Sequence, residues 1–310
     1  MYKSIIRLLL FLLPSVTLAQ YNIDFGGGLS LTNYLGEMGG KGNPRKDFIL
    51  DLRSPQNRFG INTYVRYKFS PLLSFKGMLC YTQIAGADKN STYAPRVARN
   101  LSFRNNIIEF DATVQTFFFE IPRLYQSIKH SADFRAYAFT GIGFFHHNPK
   151  AELNGTWYAL QPLRTEGVSY SLTGVCIPMG VGAYFTFDRK YRLGLEICYR
   201  KTFTDYLDDA SDRYADPTTL TPIGAALSNR SLELESTDPA IVELQSYNYG
   251  WNVSTQTGAL RGDVKKKDAY LTLFEAQFSY VLRGKSSFYR SRYPGLFGNK
   301  NKKRRIRAKF

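Results

Sequence analysis

Residues 59–69 read FGINTYVRYKF, and this stretch decides the fold class. Its odd positions carry Phe, Ile, Thr, Val, Tyr and Phe, whereas its even positions carry Gly, Asn, Tyr, Arg and Lys. Side chains that alternate with a period of two lie on opposite faces of a β-strand. Residues 191–200 repeat the pattern, and the segment 270–282 places Tyr270 and Phe278 on an apolar face opposite Glu275 and Gln277. The alternation predicts strands that are apolar on one face and polar on the other.

Eight segments carry a strand pattern, although the fifth alternates poorly: 21–31, 59–69, 73–83, 105–119, 135–145, 176–187, 191–200 and 270–282. The connections between them vary in a regular way. Four are long (32–57, 84–104, 146–175 and 204–268), 70–72 and 188–190 are tight turns, and 120–134 is intermediate. Long loops at one end and short turns at the other are typical of outer-membrane barrels. We therefore expect an all-β fold, an eight-stranded antiparallel transmembrane β-barrel in the bacterial outer membrane, with both termini in the periplasm.

A soluble lipocalin-like barrel or a sandwich is the alternative fold, and its interior would be apolar. In this chain the polar faces of the strands carry ten ionisable residues: Asp24, Arg66, Lys68, Lys76, Glu109, Asp111, Arg192, Glu196, Arg200 and Glu275. Burying these groups in an apolar core would be very costly, so we expect them to pair with one another inside a narrow lumen. Eight strands leave an interior that side chains fill, which predicts a closed barrel and not a diffusion pore.

The sequence divides into three parts. A basic start (Lys3 and Arg7), an apolar run at 8–13 and small residues at 17 and 19 predict a signal peptide over residues 1–19. Residues 20–282 hold the barrel. Residues 283–310 form a tail with 11 Lys or Arg and no Asp or Glu, so that +11 of the net charge of +16 lies in the last 28 residues.

We expect the tail to lie in the periplasm and to bind an anionic surface. The candidates are a periplasmic protein, the peptidoglycan of the cell wall and phospholipid headgroups. Export argues against nucleic acid as the partner of this basic segment. The predicted partner-binding residues are Arg290, Arg292, Lys300, Lys302, Lys303, Arg304, Arg305, Arg307 and Lys309.

Few residues point to catalysis. The chain has three histidines, of which His130 is expected in the 120–134 connection, while His146 and His147 are expected just after the fifth strand, at the outer rim. A barrel hydrolase needs a nucleophile, a base and an orienting group, and we find no GxSxG motif. We predict a non-enzymatic protein without cofactor. A lipid-modifying barrel enzyme that uses His146 or His147 stays the alternative, and a surface adhesin or structural barrel is the third class.

Other candidate motifs are weaker. Cys80, Cys176 and Cys198 lie inside strands and are interpreted as small filler residues without a metal role. An acidic group at the start of the longest loop comprises Asp205, Asp208, Asp209 and Asp212. Carboxylates of this kind can bind Ca²⁺, but the EF-hand spacing is absent, and we interpret the group as a solvated acidic rim. The triplet Arg261-Gly262-Asp263 could suggest adhesion, but three residues are too few to argue from. Gly26, Gly27 and Gly28 lie in the first strand, where we expect them to permit tight curvature or close packing across a small lumen.

Five segments resemble a known family. They are 33–37 (NYLGE), 100–103 (NLSF), 148–151 (NPKA), 157–163 (WYALQPL) continuing to 165–167 (TEG), and 202–209 (TFTDYLDD). Together they are similar to the PorG family, the outer-membrane barrel of the type IX secretion system, and the likeness spans nearly all of residues 21–282. The motif residues are Asn33, Tyr34, Leu35, Gly36, Trp157, Tyr158, Gln161, Pro162, Asp205, Tyr206, Asp208 and Asp209.

The resemblance implies a non-enzymatic component of a protein-export machine that associates with a periplasmic ring built from PorK and PorN. It also implies that the barrel is not the translocation channel. It carries over no catalytic residues.

Overall fold

The computed structural model describes residues 23–36, 38, 56–91, 93–127, 131–234, 239, 242–243, 250–262 and 267–282. The signal peptide expected at 1–19 and the basic tail at 283–310 lie outside the described residues. Both assignments therefore stay predictions.

Eight antiparallel strands form a closed barrel. They are β1 (Ile23–Leu35), β2 (Arg58–Lys68), β3 (Leu73–Ala87), β4 (Ser102–Gln126), β5 (Ser131–Leu153), β6 (Thr173–Phe187), β7 (Tyr191–Thr202) and β8 (Ala269–Val281). Each strand pairs with the next along the chain. β8 returns to pair with β1, from Val281 opposite Asp24 to Ala269 opposite Leu35. The predicted all-β, eight-stranded antiparallel barrel is confirmed.

The loops carry the remaining described elements. Two short helices, α1 (Ala94–Arg99) and α2 (Pro222–Ser228), accompany four 3₁₀ turns at Asp88–Asn90, Gln161–Leu163, Pro217–Thr219 and Ser231–Glu233. Residues Thr156–Ala159 add a short strand to the end of β5, and Trp251–Asn252 pairs with Thr257–Gly258. Of the helices that the structure describes, none has the length and hydropathy needed to cross a membrane.

The outer face of the barrel is apolar and open to its surroundings. Leu29, Phe59 and Leu195 expose 67%, 80% and 58% of their surface, whereas inward-facing neighbours such as Ser30 and Glu196 are buried. A soluble barrel would show the opposite distribution. A closed sheet with an apolar exterior satisfies its backbone hydrogen bonds internally, which is the condition for crossing lipid. The molecule is therefore a membrane barrel of the outer-membrane type.

Glycines in β1 bring it close to β8. A Cβ atom on Gly28 would lie 2.5 Å from the carbonyl oxygen of Ala276, and one on Gly26 would overlap the carbonyl oxygen of Phe278. These contacts lie between neighbouring strands, at the seam where the barrel closes, and not across the lumen as expected.

The strands β4 and β5 are longer than expected. The connection predicted at 120–134 is wrong, because β4 continues to Gln126 and β5 begins at Ser131, so that only residues 127–130 lie between the two strands. β3 first pairs with β4 at Thr116, so the end of β4 has a neighbour on one side only. Pro122 lies there, in an irregular stretch of the β4–β5 pairing, where a missing N–H group is tolerated.

Two predictions about individual strands need correction. His146 and His147 lie within β5, which continues to Leu153, and not in the loop after it. Tyr270 is buried in the lumen and does not share the outer face with Phe278. The pairing of β7 with β8 shifts register between Thr272 and Glu275. Such a bulge reverses the face on which the residues before it lie.

Candidate functional site: a charged lumen beneath a loop cap

The middle of the lumen is organised around Glu196 of β7. Lys76 Nζ lies 2.8 Å from Glu196 Oε2 and 3.0 Å from Oε1, and Tyr137 donates its hydroxyl hydrogen to Oε1. Arg66 approaches the same carboxylate at 3.9 Å, and Lys76 also lies 3.7 Å from Glu275. Glu196 is therefore held by side chains from three other strands. Arg66 of β2 and Lys76 of β3 reach it from across the barrel, and Tyr137 reaches it from β5.

Nearer the long loops, Arg200 of β7 holds two carboxylates of β4. Its Nε lies 2.5 Å from Glu109 Oε1, its Nη2 lies 3.4 Å from Asp111 Oδ2, and its Nη1 donates to Thr272 Oγ1 at 2.5 Å. Tyr270 donates to the other oxygen of Glu109. The inward position that the bulge gives Tyr270 therefore completes this group.

Near the turns, Asp24 of β1 pairs with Arg192 and lies 3.6 Å from Arg66, and Ser279 donates to it at 2.9 Å. Nine of the ten ionisable residues that the alternation assigned to the lumen are buried there, and each of the nine has an oppositely charged partner. Lys68 is half-buried and lies over the ring of Phe117. The predicted salt-bridge network is confirmed.

The three cysteines are free and buried in the lumen wall. Sequence reasoning missed that Cys176 meets two of the carboxylates just described. The sulfur of Cys176 and oxygens of Glu109 and Asp111 lie within 4.8 Å of one another. These atoms are ligand types that divalent metals use, but Arg200 already supplies a positive charge to both carboxylates. The residues therefore form a charge-paired layer of the lumen.

The mouth of the barrel at the end of the long loops is covered by residues 204–212, which we call the cap segment. Leu207 and Ala210 pack with Tyr34, Ile84 and Tyr270 in one buried apolar cluster. Asp205, Asp208 and Asp209 are buried as well, and Asp212 alone of the acidic group is exposed. The solvated acidic rim expected from the sequence is therefore wrong for three of its four residues.

Asp209 and Arg261 form the centre of this cap. Arg261 Nη1 lies 3.1 Å from Glu166 Oε1 and also donates to the carbonyl oxygen of Asp209, while Nη2 lies 3.4 Å from Asp209 Oδ2. Thr165 and Tyr170 donate to the Asp209 carboxylate. Burial raises the pKa of Asp209 to about 6, and the charge of Arg261 partly opposes this shift.

Arg261 also connects the cap to the other long loops. Its Nε donates to the carbonyl oxygen of Ser228 at 3.2 Å, and its own carbonyl oxygen accepts from Arg99. Arg99 in turn pairs with Asp88 at 2.7 Å. Because the Arg261 side chain is buried, it is not presented to a receptor, and the adhesion interpretation of the triplet 261–263 loses its first residue. Asp263 lies outside the described residues.

His147 belongs to the underside of the cap and is fully buried. Its Nδ1 lies 3.2 Å from the amide nitrogen of Asn105, which also donates to the Leu207 carbonyl oxygen at 2.7 Å. Its ring stacks on Tyr170, which stacks on Tyr206 with 4.4 Å between ring centroids. These neighbours connect His147 to the underside of the cap. His146 is exposed on the outer wall of β5, and His130 lies outside the described residues.

Three of the motif segments meet at the cap. Tyr34 donates to Asp268 Oδ1 at 2.6 Å, and the other oxygen of Asp268 accepts from the backbone N–H of Leu207. Gln161 donates to the backbone carbonyl oxygen of Tyr170, and the hydroxyl group of Tyr170 donates to the Asp209 carboxylate. The motif residues Asn33, Leu35, Gly36, Asp205, Tyr206 and Asp208 lie in or beside the same segments, and Trp157, Tyr158 and Pro162 lie around the hairpin at the end of β5.

Several residues of this arrangement were not predicted as site residues, among them Asp88, Arg99, Glu166 and Asp268. The segment Thr165-Glu166-Gly167 was noticed from its sequence. The pairing of Glu166 with Arg261 was not, because the two residues are 95 positions apart. The tail residues predicted to bind a partner (Arg290, Arg292, Lys300, Lys302, Lys303, Arg304, Arg305, Arg307 and Lys309) lie outside the described residues.

Comparison with solved structures finds Ail, the attachment invasion locus protein of Yersinia pestis. Its crystal structure in complex with the heparin analogue sucrose octasulfate is 10% identical, covers 84% of this chain and 98% of Ail, and has a TM-score of 0.34. A second crystal structure of Ail is 11% identical, covers 84% of this chain and 95% of Ail, and has a TM-score of 0.28.

No curated protein matches the chain. A family model described as "Domain of unknown function (DUF6089)" matches residues 3–225, which is more than half of the 310 residues. The chain therefore belongs to the DUF6089 family.

Proposed function

We propose that this protein is a non-enzymatic outer-membrane component of the type IX secretion system, which anchors or positions the periplasmic PorK–PorN ring. The observation that carries the proposal is the filled barrel. Charged pairs fill the lumen along its length, from Asp24 with Arg192 near the turns to Glu109 with Arg200 near the long loops. Leu207 and Ala210 cover its outer mouth. A barrel closed in this way suits an anchor better than a conduit. The resemblance of the five motif segments to the PorG family supports the choice of secretion system.

The proposed orientation places the long loops outside the cell and both termini in the periplasm. The start of β1 and the end of β8 lie at the end of the barrel that holds the short turns. The backbone N–H of Leu282 bonds to Ile23, and that of Val281 bonds to Lys190 of the tight turn 188–190. Protease added to intact cells should cut within 204–268 and spare a tag placed at residue 310. Loss of that tag on intact cells would mean that the orientation is inverted.

The proposed ring contact is the tail, and the experiment is its removal. A protein that stops after Arg283 keeps all eight strands, since β8 ends at Val281. We expect it to insert as a barrel but to lose both co-purification with the ring and secretion of cargo. A second variant keeps the full length of the tail and replaces its nine predicted cations with Gln. It should show the same losses, and in the intact protein salt should weaken ring binding.

Two outcomes oppose the proposal. If the truncated protein still binds the ring and still supports secretion, the tail is not the anchor. If a deletion strain secretes cargo normally but has altered lipid A, a lipid-modifying enzyme replaces the secretion role, and His146→Ala or His147→Ala should then abolish the lipid change.

A further inference from the structure

The membrane-facing wall carries an open groove near the end of the barrel that holds the long loops. Its volume is about 450 Å³, and it lies across β3, β4, β5 and β6. The exposed apolar residues that line it are Leu79, Ile108, Phe110, Phe144 and Val175. All five side chains are exposed. An apolar groove of this kind in a membrane wall is suited to an acyl chain.

The residues above the groove change in character along one ladder of β4 and β5. Phe110 is paired with Phe144, and the next outward pair is Ile108 with His146. Asn106 with Asn148 follows, and Arg104 with Lys150 comes last. Four residues of strand separate Ile108 from Arg104, which corresponds to roughly 13 Å along the strand. Along this column the side chains therefore change from apolar to amide to cationic, which is the order of polarity from acyl chain to lipid headgroup.

The pair of Arg104 and Lys150 is unusual because like charges directly opposite each other destabilise a sheet. Among the described residues no carboxylate lies within 4.0 Å of either cation. The Arg104 guanidinium lies 4.0 Å above the ring of Trp157, and its buried Nε has no hydrogen-bond partner. The stacking fixes the guanidinium plane while leaving donors that match a phosphate group.

We propose that this wall binds one phosphorylated glycolipid of the outer leaflet, with an acyl chain in the groove and a phosphate between Arg104 and Lys150. The assignment to the outer leaflet rests on the proposed orientation, in which the long loops lie outside the cell. The lipid site itself does not depend on secretion or on the ring.

The test uses the full-length barrel, purified in detergent, stripped of lipid and placed in nanodiscs of phosphatidylcholine. Native mass spectrometry would measure binding of diphosphoryl lipid A, of lipid A without phosphates and of phosphatidylglycerol. We expect one tightly bound diphosphoryl lipid A per barrel. The variant Arg104→Gln/Lys150→Gln should bind it at least about tenfold more weakly, because two charge-assisted contacts are lost.

Lys201→Gln is the matched control, since Lys201 is an exposed cation near the loop end of β7, opposite Ile177 of β6 and outside the β4–β5 column that holds Arg104 and Lys150. It should bind like the unchanged protein. A second variant, Val175→Trp, should fill the groove and weaken binding while both cations remain. Heat-dependent migration in gels would establish that each variant folds.

Three results would overturn the proposal. Equal loss in Lys201→Gln would show that surface charge alone attracts the lipid. Equal binding of dephosphorylated lipid A would remove the phosphate contact, and equal binding of phosphatidylglycerol would replace the glycolipid by an anionic phospholipid. Normal secretion or its failure in these variants bears on the proposed function and leaves this measurement unchanged.

Discussion

Replacing Arg200 should destabilise the barrel more than replacing any charge at its mouth. Arg200 contacts Glu109 at 2.5 Å, Asp111 at 3.4 Å and Thr272 at 2.5 Å, and all of these side chains are buried. In Arg200→Met two carboxylates of β4 stay in the lumen without their cation. Breaking a buried pair in this way costs about 3–5 kcal/mol. In a domain of this size each kcal/mol lowers the melting temperature by about 2–4 °C, so the expected loss is roughly 6–20 °C.

The assay is the temperature at which the folded, faster-migrating band disappears from gels, with unfolding in urea followed by circular dichroism as a second measurement. The triple variant Arg200→Met/Glu109→Gln/Asp111→Asn removes the unpaired charges as well and should regain most of the stability. Lys68→Met is the matched control, because Lys68 is only half-buried and lies over an aromatic ring. If Arg200→Met melts within 2 °C of the Lys68→Met control, the lumen pairs do not stabilise the barrel as argued.

Further predictions concern the seam and the cap. Gly26→Val should prevent closure, because a Cβ there overlaps the Phe278 carbonyl oxygen; the folded band in gels should be lost, whereas it should persist in Ser30→Ala. Arg261→Met should loosen the cap, which hydrogen exchange of the 204–212 amides would detect as faster exchange without a change in barrel melting. Asp209 has a pKa of about 6 in the fold, above its ordinary 3.8, so the folded state binds the proton more tightly and the cap should lose stability as the pH rises from about 4 to about 6. Asp209→Asn should abolish this dependence when exchange at pH 4.5 and pH 7 is compared after correction for intrinsic rates.

The alternation of side chains was sufficient to predict the barrel wall. Residues such as Arg66 and Glu196 are placed in the lumen by period alone, because a strand has only two faces. The fifth strand alternates poorly for a reason visible in the fold. Its inward residues Tyr137 and Phe139 pack in an apolar cluster with Phe117, so that both faces of this part of β5 carry apolar side chains.

Local irregularities could not be predicted by the same reasoning. Tyr270 is inward because β8 shifts register between Thr272 and Glu275, and a period-two pattern assumes that no such shift occurs. The strand predicted at 105–119 ends too early, because β4 continues past Pro122, where it lacks a neighbour on its β3 side. Both errors come from pairing, which the sequence of a single strand does not contain.

The cap was the largest surprise for a similar reason. Three aspartates within five residues predict a solvated loop when read alone, and burial becomes acceptable only once their partners are known. Asp209 finds Arg261 from 52 positions away, and Ser211 and Asp212 donate their backbone N–H groups to Glu166 from 45 and 46 positions away. Long-range pairs of this kind have no local pattern, so the acidic cluster and the motif resemblance drew attention to this segment without predicting its burial.

The lumen and the tail should be separable in experiment, because one determines whether the barrel is stable and the other is proposed to bind the ring. The lumen pairs around Arg200 are buried between strands and contact no solvent, so the triple variant described above should keep full ring binding even if its melting temperature falls. Replacing the tail cations with Gln should do the reverse, with melting unchanged and co-purification lost. A triple variant that folds, inserts and still fails to bind the ring would show that the interior transmits information to the partner, and the anchor proposed here would have to be a switch.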